Sequence, residues 1–163
     1  MPPIANADGV RENALLLAQV ARQAGVRVLV TEQNPAGLGP SVPVIRALAD
    51  QILAKQYFNA CREGLLDLLS GSATTSPCDV VIAGCETHVC LLQTVLGLLA
   101  AGHRAWVVAP ACGSRRAEDR SLALNRMSAA GAIIVSPEMV VFEWLEHSDH
   151  PDFKALLQQV KNA

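Results

Sequence analysis

Val80-Val81-Ile82-Ala83-Gly84-Cys85-Glu86-Thr87-His88-Val89-Cys90 reads as a strand, a short polar turn and the opening of a helix. The run Val80-Val81-Ile82-Ala83 is continuously apolar rather than alternating, as in a strand covered on both faces, and such strands belong to parallel sheets flanked by helices. After the turn, Val89, Leu92, Leu96 and Leu99 recur at helical spacing and predict a helix over Thr87–Ala101. Cys90 therefore falls in the first turn of a helix, beyond the C-terminal end of a buried strand. Ligands of parallel α/β sheets bind at that end. The partial positive charge and free N–H groups of a helix N-terminus favour a thiolate and can stabilise an oxyanion. Two readings stay open at this point: Cys90 as a nucleophile, or Cys90 as a small hydrophobe in the core.

The same pattern repeats outward. Val26–Thr31, Ile52–Phe58, Asp79–Gly84, Arg104–Ala109 and Ala132–Val135 are the five strand candidates, with Trp106-Val107-Val108-Ala109 again unbroken. Helical spacing fills the intervals. Leu16, Val20 and Ala24 form a stripe within Asp8–Ala24, and Arg116–Ala130 predicts a helix closed by Gly131 at its C-terminus. Ser136-Pro137-Glu138 combines an N-cap, a proline at the first helical position and an acid facing the dipole. That helix runs to about His147, and a last one opens near Pro151. Asn34–Ser41, with two prolines and two glycines, is read as a loop. Helix and strand in alternation predict a single α/β domain over residues 1–163, a three-layer α/β/α fold with a parallel, Rossmann-type sheet.

Composition removes several function classes. In 163 residues, 51% are hydrophobic and 17% charged, and 13 Lys plus Arg against 15 Asp plus Glu leave a net charge of −2. That near-balance lacks the basic stripe that a nucleic-acid partner requires. No apolar run reaches the about 20 residues of a membrane helix, and the longest, near Val89–Ala101, is broken by Gln93, Thr94 and Gly97. Met1–Asn6 has no basic segment leading into an apolar core. The five cysteines are odd in number and irregularly spaced, so reduced thiols in a cytoplasmic protein are expected.

Cys85, His88 and Cys90 invite a metal reading. Zinc sites present ligand pairs from two separate elements, and His103, His147 and His150 supply no second pair at a ligand spacing, so no metal is expected. His88 then reads as a structural or pocket-lining residue. Lys55 sits in the otherwise apolar run Ile52-Leu53-Ala54-Lys55-Gln56-Tyr57-Phe58. A buried lysine must be paired or functional, and beside a thiol it would support negative charge. The alternative is an edge-strand lysine whose head reaches solvent.

Gly84-Cys85-Glu86-Thr87-His88-Val89-Cys90, followed by Leu91-Leu92-Gln93-Thr94, resembles the nucleophile motif of the isochorismatase-like cysteine hydrolases. Thr31–Gly39 is similar to the family's loop after its second strand, and Lys55 with Phe58–Cys61 resembles its lysine-bearing third strand. Ser114-Arg115, Arg126-Met127 through Gly131, and His150–Lys154 extend the resemblance from about residue 4 to the end. Its flavour is that of the isochorismatase domain-containing branch. The resemblance implies a six-stranded parallel sheet and an Asp-Lys-Cys triad, in which Lys and Cys fall on Lys55 and Cys90. It implies a cis peptide at Cys85–Glu86, an oxyanion hole from the N–H groups of Glu86 and Cys90, and no cofactor. Glu32, Gln33, Asn34, Leu38, His88 and Arg115, with Ser114, would line the substrate pocket.

Two departures accompany it. The family's triad aspartate lies on a first strand, and Met1–Ala7 resembles the stretch after that strand. We therefore expect the first strand to lie upstream, in the middle of the sheet between the strands matching Val26–Thr31 and Asp79–Gly84. Pro110 also stands where members often have Asp. The nicotinamidase branch holds a metal through an Asp and two His near its second strand, which Thr31–Ser41 lacks. The expected function is hydrolysis of a small amide or ester-type substrate through Cys90 in a homo-oligomer without nucleic-acid or membrane partners. The alternative is a catalytically silent homologue serving as an oligomer subunit.

Overall fold

In the computed structural model, which describes residues 4–70 and 77–161, the chain runs α1 (Ala7–Gln23), β1 (Leu29–Gln33), α2 (Pro35–Leu38), α3 (Pro43–Arg46) and β2 (Gln51–Lys55). It continues through α4 (Leu65–Ser70), β3 (Asp79–Cys85), α5 (Leu92–Ala100), β4 (Arg104–Gly113), α6 (Ala117–Ala129), β5 (Ile133–Val135), α7 (Pro137–Leu145) and α8 (Phe153–Lys161). Every strand pairing is parallel. The pattern of β4 shows why helices cover both faces. Ala105 and Val107 point to a core with Leu92 and Val95 of α5 and Met127 of α6. Trp106 and Val108 point the other way, to Leu17 of α1 and Val140 of α7. Residues alternate across a strand, so an unbroken apolar run feeds two cores at once. The three layers expected from the sequence follow from this.

The sheet is in two pieces. β1 pairs only with β2, and β3-β4-β5 form a second sheet among the described residues. The strands in Val26–Thr31 and Asp79–Gly84 are thus not paired with each other, and five strands, not six, are described. An apolar cluster packs between the two pieces: Ala60, Leu65 and Leu98 meet Leu29 and Leu53 from one sheet and Val80 and Ile82 from the other.

Several boundaries differ from the expected ones, each for a local reason. β2 stops at Lys55 rather than reaching Phe58, because the N–H groups of Gln56 and Tyr57 both donate to the Glu63 carboxylate at 2.7 Å. β4 runs on to Gly113 through an excursion: Ile82 faces Val107 but Gly84 faces Cys112. Arg120 fills the gap, its Nε donating to the Cys112 carbonyl at 2.8 Å and its Nη2 to the Ala109 carbonyl. Asn34–Ser41, expected as loop, contains α2, with Asn34 in the left-handed region at φ 42°. The helix expected over Thr87–Ala101 opens with a π-helical turn, Thr87–Leu91. A π turn takes in one residue more than an α turn, which rotates the buried face. Leu91, Leu92, Val95 and Leu98 are buried, so of the expected stripe only Leu92 is fully covered, and Val89, Leu96 and Leu99 are half-buried. The Ser136 cap is as expected, with its Oγ accepting from the Met139 N–H at 3.2 Å and Pro137 opening α7.

Candidate active site

Cys90 lies in the π-helical turn beyond the C-terminal end of β3, five residues after a cis Cys85–Glu86 peptide. The turn is held from below. Thr87 is fully buried, and its hydroxyl donates to the Gly113 carbonyl at 2.9 Å, tying the turn to the end of β4. Val89 and Leu91 donate their N–H groups to the Glu86 carbonyl at 3.2 and 3.3 Å. The Cys90 thiol is half-buried, and its Sγ donates to the Cys85 carbonyl at 3.4 Å and lies 3.8 Å from the Glu86 carbonyl. Cys90 is therefore reachable, which the core-hydrophobe reading does not provide.

Glu86, His88, Ser114 and Arg115 form one cluster beside it. The Arg115 Nε donates to the Glu86 carboxylate at 2.9 Å. His88 Nδ1 lies 3.9 Å from that carboxylate and 3.0 Å from the Oγ of Ser114, which is 1% exposed. These are residues from two strand ends, β3 and β4, gathered at one edge of the sheet.

Lys55 does not reach solvent: it is 3% exposed. Its ammonium donates to Gln33 Oε1 on the neighbouring strand and to the carbonyls of Tyr57 and Phe58, both at 3.1 Å. The chain after β2 curls around its own lysine. Burial pushes this ammonium below its ordinary value, while the charges of Cys90 and Glu63 act to hold it up. Lys55 is linked to the helix after Cys90 through the Phe58 carbonyl, which also accepts from the Thr94 hydroxyl at 3.4 Å. All three acceptors of Lys55 are uncharged, and none of the ion pairs among the described residues includes it.

Three of the other thiols are poorer candidates. Burial raises Cys61 to about 11 and Cys112 to about 12. Cys85 is also raised, by burial first and then by the charges of Cys90 and Glu86.

The remaining expected pocket residues are less gathered. Gln33 is occupied at both ends of its amide, accepting from Lys55 and donating from Nε2 to the Gln56 carbonyl. Glu32 is buried, and its carboxylate accepts from the Ser41 N–H at 2.9 Å and the Arg46 Nε at 3.1 Å, which secures the loop after β1. The Ser41 bond is the largest influence holding that carboxyl below its ordinary value. Asn34 contributes backbone, its N–H donating to the Lys55 carbonyl at 2.8 Å, and Leu38 is 71% exposed. Sequence reasoning missed Glu63 and the two carbonyls that cage Lys55. Backbone acceptors carry no residue signature, and an acid eight positions after a lysine has no motif.

The sequence pattern of the isochorismatase domain matches residues 2–139. Isochorismatase domain-containing protein 2A of Mus musculus is 35% identical over 160 residues, covering 98% of this chain and 76% of the mouse protein. The structure of MAR1 ribonuclease from Caenorhabditis elegans superposes with a TM-score of 0.88 and 32% identity, covering 98% of this chain and 82% of that one. YcaC from Pseudomonas aeruginosa, solved with hexane-2,5-diol and covalent acrylamide, gives a TM-score of 0.84 and 28% identity over 95% and 79% of the two chains.

Proposed function

This chain belongs to the isochorismatase domain family, and from that premise we propose that it is a cysteine hydrolase of small amide or ester-type substrates with Cys90 as nucleophile. Membership supports a hydrolase; the observation that carries the cysteine reading is the half-buried Cys90 thiol in the turn after β3, with the buried Lys55 ammonium linked to the helix after Cys90 through the Phe58 carbonyl and Thr94. The Cys90 sulfur attacks the carbonyl carbon, forming a C–S bond, and the amine or alcohol leaves with a proton. Water then cleaves the thioester, releasing the acid and restoring the thiol. Lys55 supports the negative charge on sulfur, and the N–H groups of Glu86 and Cys90 serve the oxyanion. His88, Ser114 and Arg115 frame one wall of the pocket, with Gln33 on the lysine side. The covalent acrylamide in the Pseudomonas protein supports a reactive nucleophile in a relative. Exposed Leu38, Tyr57 and Phe58 near the ends of β1 and β2 support a homo-oligomer.

One observation favours the competing, catalytically silent reading: the lysine's acceptors are all neutral. A ribonuclease among the relatives adds RNA as a second substrate class to exclude, although a net charge of −2 gives phosphates little to bind. The test is a panel of small esters, small amides and an RNA oligonucleotide, with intact-mass analysis during turnover. We expect ester or amide hydrolysis with an acyl adduct mapped to Cys90, both lost in Cys90→Ala. Equal turnover by Cys90→Ala would overturn the nucleophile assignment. Absence of all turnover would favour the silent subunit, and RNA cleavage alone would replace the substrate class.

A further inference from the structure

We infer that Thr94 and Gly97 are positioning residues that dock the lysine-caging turn onto the helix of Cys90 and so fix Lys55 relative to the nucleophile. The inference rests on the Lys55–Cys90 reading above and goes beyond it to the part that aligns the two.

The problem these residues solve is set by the divided sheet. Lys55 ends β2, Cys90 follows β3, and among the described residues no strand hydrogen bond links the pieces that carry them. Their relative position must be set by packing and by contacts outside the strands, and the polar contact nearest Lys55 is made by α5. The Thr94 hydroxyl donates to the Phe58 carbonyl at 3.4 Å and accepts from the Ala60 N–H at 3.1 Å. The Phe58 carbonyl is also one of the acceptors of the Lys55 ammonium, at 3.1 Å. A carbonyl oxygen has two lone pairs, so one atom serves both donors. A path of two hydrogen bonds thus runs from the nucleophile's helix to the lysine head. Thr94 stands one turn beyond Cys90.

Gly97 permits the approach. A Cβ there would lie 2.7 Å from both Nδ2 and Oδ1 of Asn59. Asn59 cannot simply swing away, because its Oδ1 accepts from the Cys61 N–H at 2.9 Å and holds the turn Ala60–Arg62. The Cys61 thiol donates in turn to the Thr94 carbonyl at 3.6 Å. Glycine in a helix interior is disfavoured relative to alanine, and this contact gives the position a reason to be glycine. Positions 94 and 97 are three apart and share one helix face.

The test reads the rate at which iodoacetamide alkylates Cys90 in the full chain, by peptide mapping, at one fixed pH near neutrality. Melting of each variant is followed by circular dichroism. We expect Thr94→Val, which keeps the shape and removes the hydroxyl, to slow alkylation about fivefold, the worth of one hydrogen bond. Thr94→Ser should restore the rate. Gly97→Ala should slow it despite better helix propensity. In a Lys55→Met background, Thr94→Val should change nothing further, because its effect passes through the lysine. Equal slowing by Thr94→Val in both backgrounds would overturn the inference, as would no slowing where Lys55→Met alone slows the reaction. If Lys55→Met leaves the rate unchanged, the Lys55–Cys90 reading itself falls, and the positioning role with it. Should Thr94→Val fail to fold, Gly97→Ala read with and without Lys55→Met decides by the same criterion.

Discussion

The two pieces of the sheet hold their key residues by different means. Cys90 rises from a three-stranded unit covered on both faces, whose cores include fully buried Val95, Val107, Val108 and Met127. Lys55 ends a two-stranded unit that leaves Ile52, Tyr57 and Phe58 exposed. Polar tethers hold that smaller unit. The Asp50 carboxylate accepts from the Val28 N–H and pairs with Arg22, Glu63 accepts from Gln56 and Tyr57, and Glu32 secures the loop after β1. Two strands alone are marginal in water. Packing therefore places Cys90, whereas hydrogen bonds and docking place Lys55.

Leu98→Ala should break this comparison most severely, because Leu98 is fully buried in the cluster that joins the two units. A truncation of this kind costs about 2–5 kcal/mol. Hydrogen exchange should show β2 amides losing protection before those of β4; simultaneous loss would mean the units are equally secured. Thr87→Val should have the next largest effect, about 1–3 kcal/mol for an unpaired buried carbonyl at Gly113. Urea unfolding should register that loss, while exchange in residues 34–46 stays as in the parent. The smallest effect concerns acid. The Glu32 carboxyl is held below its ordinary value of 4.5, chiefly by the Ser41 N–H and then by Arg46. A depressed carboxyl contributes stability that is complete above 4.5 and lost as pH falls through the folded-state value. Exchange of the Ser41 amide, corrected for its intrinsic rate, should therefore rise in that window. Glu32→Gln should abolish the pH dependence; a persistent acid transition would assign it elsewhere.

The fold was largely legible because unbroken apolar runs have few interpretations: Val80–Ala83 and Trp106–Ala109 must be covered on both faces. Cys90 was legible for the same reason, standing just past such a run. Lys55 was visible as a charge among apolar neighbours, but its burial was not, since the acceptors that permit it are backbone carbonyls. The π-helical turn also escaped the pattern, because Val89 and Leu92 satisfy an α-helical stripe that one extra residue displaces. Thr94 and Gly97 looked like interruptions of an apolar segment, whereas they face the turn that cages Lys55.

Dividing the sheet also leaves β1 and β3 each with one edge whose backbone meets no strand among the described residues. Open edges template pairing with other chains, and proteins blunt them with charge, proline or covering segments. Val81 and Ile82 of β3 offer neither charge nor proline. For the purified chain, crowding is thus a hazard separate from heat: self-association should grow with protein concentration well below the melting temperature, and storage should be dilute and cold.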